Sequence, residues 1–249
     1  GATLIEGWGK ITGPNSVSVG TDSYTAQRIL IATGGRPSAP PVPGLDEFAI
    51  SSNEALDLKQ RPNHILVYGS GYIALEFAGI FAGFGSRVDL VYRADLPLRG
   101  FDEDVRRHIA EAQTDRGINL ISGCTITEVK QTDAAYEVVL DDGHILTPDK
   151  VMAATGRRPN IEGLGLQETG VKINERGAVM VDEWSQTSIA SIYAVGDVTD
   201  RINLTPVAIA EGHAFADTHY GGIARHIGYD NVPSAVFSQP NIASVGLTE

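Results

Sequence analysis

Cysteine is almost missing from this chain: Cys124 is the only one in 249 residues. A disulfide within the chain is therefore excluded, and so is any chemistry that needs a redox cysteine pair inside it. Basic residues are also few. Nineteen Lys and Arg face 31 Asp and Glu, a formal charge of −12. With no basic stretch to offset that balance, no nucleic-acid partner is expected. No apolar run reaches the length of a membrane span and no secretory signal opens the chain, so no membrane association and a cytoplasmic setting are expected. The six histidines show no metal-ligand spacing. His213, His219 and His226 are expected at the surface, and no metal site is expected. What remains is globular: 42% hydrophobic and 20% charged residues, enough for one large domain or two smaller ones.

Against this background one segment stands out, His64-Ile65-Leu66-Val67-Tyr68-Gly69-Ser70-Gly71-Tyr72-Ile73-Ala74-Leu75-Glu76. It reads as a buried strand, a tight glycine turn and a helix. Such a turn brings a cofactor pyrophosphate against backbone N–H groups at a helix N-terminus, where the macrodipole favours negative charge. Gly69 lets the turn close, Gly71 lets backbone approach the phosphates, and Ala74 lets helix and strand pack closely. Gly69, Ser70, Gly71 and Ile73 are thus candidate nucleotide-binding positions. The helix is expected over residues 71–84, stopped by Gly83 and Gly85, with a second strand over 87–92.

The far end of that second strand reports the cofactor. An acidic residue there would bond the ribose 2′-hydroxyl of NAD, but Asp89 lies near the strand's start. The end reads Val91-Tyr92-Arg93-Ala94-Asp95-Leu96-Pro97-Leu98-Arg99. Forked guanidinium groups at Arg93 and Arg99 suit a 2′-phosphate, so NADPH is expected over NADH. The bland alternative leaves both arginines as solvated charges.

Elsewhere, strands are expected over residues 3–11, 16–19 and 24–32, joined as a small antiparallel meander. The last should be fully buried, because 28–32 is nearly all apolar. A proline-rich linker follows over 38–62, with a short helix near 53–58. Beyond the glycine turn come a helix over 102–116, strands over 119–121, 124–130, 135–140 and 144–146, and an apolar strand over 150–153. The strand ends Ala32-Thr33-Gly34-Gly35-Arg36-Pro37 and Ala154-Thr155-Gly156-Arg157-Arg158-Pro159 echo each other, which points to two dinucleotide-binding units. A third strand ends in Ala194-Val195-Gly196-Asp197, where Asp197 is placed to accept from a ligand hydroxyl. Thr205 is expected to cap the following helix, with Pro206 at its first position.

These motifs, with Gly100-Phe101-Asp102-Glu103-Asp104-Val105, Ala194-Val195-Gly196-Asp197-Val198-Thr199-Asp200-Arg201 and Ala235-Val236-Phe237-Ser238-Gln239-Pro240, make the chain resemble the glutathione reductases. Those enzymes belong to the two-dinucleotide flavoprotein disulfide reductases, and the resemblance runs along essentially the whole sequence. The NAD-using lipoamide dehydrogenases are less similar, carrying an acidic residue at about Tyr92. The resemblance implies an α/β fold: a Rossmann-like NADP-binding domain with a parallel sheet and an antiparallel meander (45–157), plus part of an FAD-binding domain (1–44 and 158–230) and the start of an interface domain (231–249). It implies NADPH and FAD as cofactors, glutathione disulfide as substrate and a homodimer. Tyr72 is similar to the tyrosine covering the nicotinamide face of the flavin, and Glu76 to the glutamate that pairs with a flavin-side lysine. Gly156 matches a backbone contact to NADPH, Asp197 the aspartate that binds the ribityl chain, and Thr205 a backbone donor to the flavin pyrimidine. Gly9 and Thr33 fall in segments bordering the FAD adenine and pyrophosphate.

The chain departs from that family in lacking a Cys-x-x-x-x-Cys run, a first glycine turn ahead of the meander, and a His-Pro dipeptide. It is accordingly expected to be an internal piece of such a reductase, inactive alone and unable to retain FAD. Mercuric, trypanothione-type or lipoamide dehydrogenase-like reductases and a non-catalytic NADP-binding module remain as alternatives.

Overall fold

The chain's path is that of a computed structural model, which describes residues 1–133 and 135–248. The first strands are β1 (Gly9–Gly13), β2 (Ser16–Val19) and β3 (Asp22–Thr25), an antiparallel three-stranded sheet. Then come β4 (Ile29–Ile31) and β5 (Gly35–Pro37), followed by the short helices α1 (Leu45–Phe48) and α2 (Ser52–Ala55). The glycine turn joins β6 (His64–Tyr68) to α3 (Tyr72–Gly83), which returns through β7 (Arg87–Tyr92). Next are α4 (Glu103–Asp115), β8 (Asn119–Ser122), β9 (Ile126–Gln131), β10 (Tyr136–Leu140), β11 (Ile145–Leu146) and β12 (Lys150–Ala153). The return path runs through β13 (Arg157–Pro159), α5 (Leu166–Thr169), β14 (Ile192–Ala194), a 3₁₀ turn at Gly196–Thr199 and α6 (Thr205–His219). The hairpin β15 (Ser234–Val236) and β16 (Ile242–Ser244) closes the chain.

Two units result. The first joins Gly1–Arg36 to Arg157–Asp230; the second comprises Pro37–Gly156 with Asn231–Glu249. Residues 37–44 and 231–249 group with the second unit.

The second unit is built on a parallel sheet of order β12-β6-β7-β8. The central strands β6 and β7 are largely apolar and buried because both faces are covered. Ile65 and Val67 of β6 face a core with Ala74, Leu75, Ala78 and Phe81 of α3 and Ile109 of α4. Leu66 and Tyr68, one residue out of phase, join Ile126, Val129, Val138 and Leu140 of the antiparallel sheet β9-β10-β11. Asp89 is the exception within β7. It is fully buried, hydrogen-bonded to His64 Nε2 at 2.7 Å and accepting from Asn119 Nδ2 at 2.9 Å. That buried carboxylate ties three strands together and is remote from the strand's ligand end, as its sequence position implied.

The first unit corrects the expected meander. Strand β4 is not its continuation: it pairs parallel with β14, Ile29 to Ile192 and Ile31 to Ala194. Nor is β4 fully buried. Ile29 and Ile31 enter the core, whereas Leu30 is exposed, the alternation of a sheet covered on one face. The first strand also begins only at Gly9, later than expected.

His219 corrects another expectation, for it is not a surface residue. Its half-buried ring stacks edge-on against Tyr193, at 4.5 Å between centroids, and on Phe215 at 4.8 Å. Its Nε2 is buried without a hydrogen-bond partner among the described residues. Burial, and secondarily the nearby Arg28 charge, holds its pKa below the ordinary imidazole value. As pH falls, the unfolded chain therefore takes up this proton before the folded one. The stability contributed by the neutral ring should be complete above pH ~6.5 and decline below it. The thermal midpoint should drop between pH 7.5 and 5.5, and His219→Phe should flatten that drop. Identical pH slopes for the two proteins would contradict the assignment.

Candidate functional site

Within the second unit, the glycine turn sits beyond the C-terminal ends of β6 and β12, where the chain leaves β6 for β7 on one side and β12 flanks it on the other. Ligands bind at such a switch point in open parallel sheets. The two glycines of the turn serve different needs. Gly69 has φ +139°, and a Cβ there would lie 2.3 Å from Ala154 O, so the fold itself requires glycine. At Gly71, the N-cap of α3, a Cβ would meet nothing within 4 Å. The protein does not need a glycine there. The open space instead allows a ligand to approach the N-terminus of α3.

The turn carrying the arginines is attached to this glycine turn. Leu98, buried and at φ 54°, donates its N–H to Ser70 O at 2.8 Å. Arg106 of α4 supports the same turn through bonds to Pro97 O and Leu96 O. Arg93 and Arg99 flank it and are exposed. Neither guanidinium forms an ion pair or hydrogen bond among the described residues. Free, paired forks beside a nucleotide turn match the chemistry of a phosphate ester.

The other predicted positions in this unit fall around the same turn. Tyr72 is the first residue of α3, and Ile73 packs partly on the core beneath it. Glu76, one turn later, accepts from Phe237 N at 2.9 Å, so its carboxylate fixes the C-terminal hairpin segment. Gly156 lies just past β12, where its carbonyl accepts from Ser38 N at 3.0 Å. The only grouping of possible metal ligands among the described residues is Cys124, Asp141 and Asp142. Thr125 already occupies both Asp141 oxygens.

A separate constellation lies in the first unit. Thr33 and Asn160 exchange bonds, Oγ1 to Asn160 O at 2.7 Å and Asn160 Nδ2 to Thr33 O at 3.3 Å. A Cβ on Gly35 would come within 3.4 Å of the Asp197 side chain, which places that aspartate over the strand-end turn. The Asp197 carboxylate has no partner among the described residues. A half-buried carboxylate left free at a strand end is suited to accept from ligand hydroxyls. Thr205 is exposed at the start of α6, but Leu204, not Thr205, is the N-cap, and no side chain caps the helix. Pro206 stands in the first turn and leaves no stranded N–H. Gly9 lies in β1 opposite Val19, with no bond to the Thr33 turn among the described residues. The echo of strand ends has a direct meaning: the two segments pair as β5 and β13.

Sequence reasoning missed Glu211. It is a single acid in the apolar stretch 206–211 of α6, 2% exposed, and that isolation was the available signal.

A strand–glycine turn–helix unit on a doubly covered parallel sheet, carried in sequence as an insertion within a second strand-and-helix unit, defines the class: a Rossmann-type dinucleotide-binding fold. The chain belongs to the pyridine nucleotide-disulphide oxidoreductase family, whose profile matches residues 1–212. It is 50% identical over 246 residues to a glutathione reductase of Burkholderia cepacia, covering 99% of this chain and 55% of that protein. A trypanothione reductase of Trypanosoma congolense is 40% identical over 262 residues, covering 100% of this chain and 53% of that protein. Among solved structures, the HOCl-induced flavoprotein disulfide reductase RclA of Escherichia coli superposes with a TM-score of 0.94 at 31% identity, over 99% of this chain and 57% of that one. The chain spans about half the length of the curated relatives it matches.

Proposed function

We propose that this chain supplies the NADPH-binding unit and part of the FAD-binding unit of a cytoplasmic, homodimeric glutathione-disulfide reductase. The observation that carries the reading is the pair of unpaired guanidinium groups, Arg93 and Arg99, on a turn bonded to the glycine turn through Leu98 and Ser70. In this reading the N–H groups from Ser70 to Ile73 receive the pyrophosphate at the α3 terminus, and the arginines hold the 2′-phosphate. Tyr72 covers the nicotinamide end, and Gly156 offers backbone to the nucleotide. Asp197 accepts from the flavin ribityl chain, with the Thr33 turn and the exposed α6 terminus at Thr205 beside it. The chemistry such groups supply when bound is hydride delivery and its relay, as an electron pair, to a disulfide. The protein's share is to hold each group, exclude water and fix orientation. The high identity to glutathione reductases supports glutathione disulfide as substrate.

Calorimetric titration with 2′,5′-ADP and with 5′-AMP tests the cofactor preference. The bisphosphate should bind at least about tenfold more tightly, from one or two charge-assisted contacts. Equal affinities would remove the basis for NADPH.

A further inference from the structure

Resting on the flavin reading of the Asp197 half-site, we propose that Glu211 is a positioning residue: it straps the 3₁₀ turn at both ends and so aims Asp197 at its ligand. Glu211 is buried in α6 among apolar neighbours, where a carboxylate is tolerated only if its oxygens are saturated with donors. The two oxygens divide the work. Oε2 accepts from Gly196 N at 2.6 Å. Oε1 accepts from Arg201 Nη2 at 2.9 Å and from Tyr229 OH at 2.7 Å. Gly196 opens the turn and Arg201 lies just beyond its close, so both straps meet on one side chain with Asp197 between them.

The rest of the turn is fitted to this clamp. Gly196 has φ +75°, and a Cβ on it would stand 3.2 Å from Ala208 Cβ; the helix therefore sits directly against the turn. Thr199 Oγ1 donates to Gly196 O at 2.8 Å and accepts from Arg201 Nε at 3.2 Å. The Arg201 guanidinium lies 5.0 Å from the Tyr229 ring centroid. Gly196, Thr199 and Arg201 are thus bonded within the clamp, whereas the Asp197 carboxylate has no partner among the described residues.

The experiment uses the longest gene product containing this chain, with FAD titrated by fluorescence quenching and backbone amide exchange followed at Gly196 and Asp197. Glu211→Gln keeps the shape but offers one acceptor oxygen in place of two, so one strap is lost. It should weaken FAD binding about tenfold or more and speed Gly196 exchange by a similar factor. Tyr229→Phe leaves both straps in place and should change FAD binding less than about threefold. Because Glu211 acts through Asp197, Glu211→Gln should add nothing to the loss caused by Asp197→Asn. Wild-type affinity in Glu211→Gln overturns the proposal, as does a full additional loss in the Asp197→Asn background, which marks general damage to the fold. A wild-type protein that binds no FAD overturns the flavin reading instead. The exchange arm then decides for Glu211, with unchanged Gly196 protection counting against it.

Discussion

Replacing both Arg93 and Arg99 with alanine is expected to erase the preference for a 2′-phosphorylated nucleotide. Neither guanidinium forms a hydrogen bond or ion pair among the described residues, so the fold should tolerate the change. The loss should fall on the ligand. Each charge-assisted contact to a phosphate contributes about 1.5–3 kcal/mol, so the double variant should bind 2′,5′-ADP roughly 10²–10⁴ times more weakly, with 5′-AMP nearly unchanged. Each single variant should lose about tenfold or more. Titration at two salt concentrations checks the cause, because the wild-type preference should shrink as salt rises and the variant's should not. A preference that survives both substitutions would relocate the phosphate site, and a fall in thermal midpoint of several degrees would mean that the arginines have a structural role.

The largest loss of folding should come from Gly69→Ala, with Gly71→Ala as its counterpart two residues away. At Gly69 the added methyl would lie 2.3 Å from Ala154 O and 2.7 Å from Ala154 C. Both are backbone atoms beside the end of β12, and they cannot swing aside as a side chain would. The φ of +139° adds strain for any residue with a Cβ. A cost of about 3 kcal/mol or more is expected, a large share of the stability of an ordinary domain. At Gly71 the backbone is extended and nothing lies within 4 Å. Alanine there should leave the thermal midpoint within a degree or two, but its methyl would stand in the space a nucleotide needs. Denaturation and nucleotide titration of both variants should therefore separate: one loses its fold, the other its ligand. Matching losses of stability in the two would show that neither glycine is reserved for a ligand.

The sequence was most legible where one physical requirement dominated. The apolar run at 64–68 followed by glycines, the strands expected over 124–130 and 135–140, and the helix expected over 102–116 each formed within a residue or two of expectation. The parallel sheet and the nucleotide turn followed from them. Partners distant in sequence were not legible. Leu30 was read as buried because apolar neighbours surround it, and only the pairing of β4 with β14 shows that one face is open. His219 was read as exposed because its ring finds Tyr193 and Phe215 only once α6 packs. Thr205 has good capping chemistry, but the helix starts one residue earlier in register and Leu204 takes the cap position. Among the candidate site residues, the placement of Arg93, Arg99 and Asp197 beyond strand ends was readable from the sequence. The tie from Leu98 to Ser70 and the strapping by Glu211 were not, since both depend on atoms that only the tertiary path brings together.

The pairing of β4 with β14 has a consequence for synthesis. After strand β4 leaves the ribosome, its hydrogen-bonding partner follows roughly 160 residues later, a wait on the order of ten to thirty seconds at ~5–20 residues per second. During that interval all four strands of the parallel sheet, β6, β7, β8 and β12, have emerged. The inserted unit can thus close its core while the host that flanks it is still half-made. Assembly would then run from the inserted unit outward to its host, and the nascent Ile29 and Ile31, whose burial waits on that late partner, would stay open to a chaperone throughout the interval.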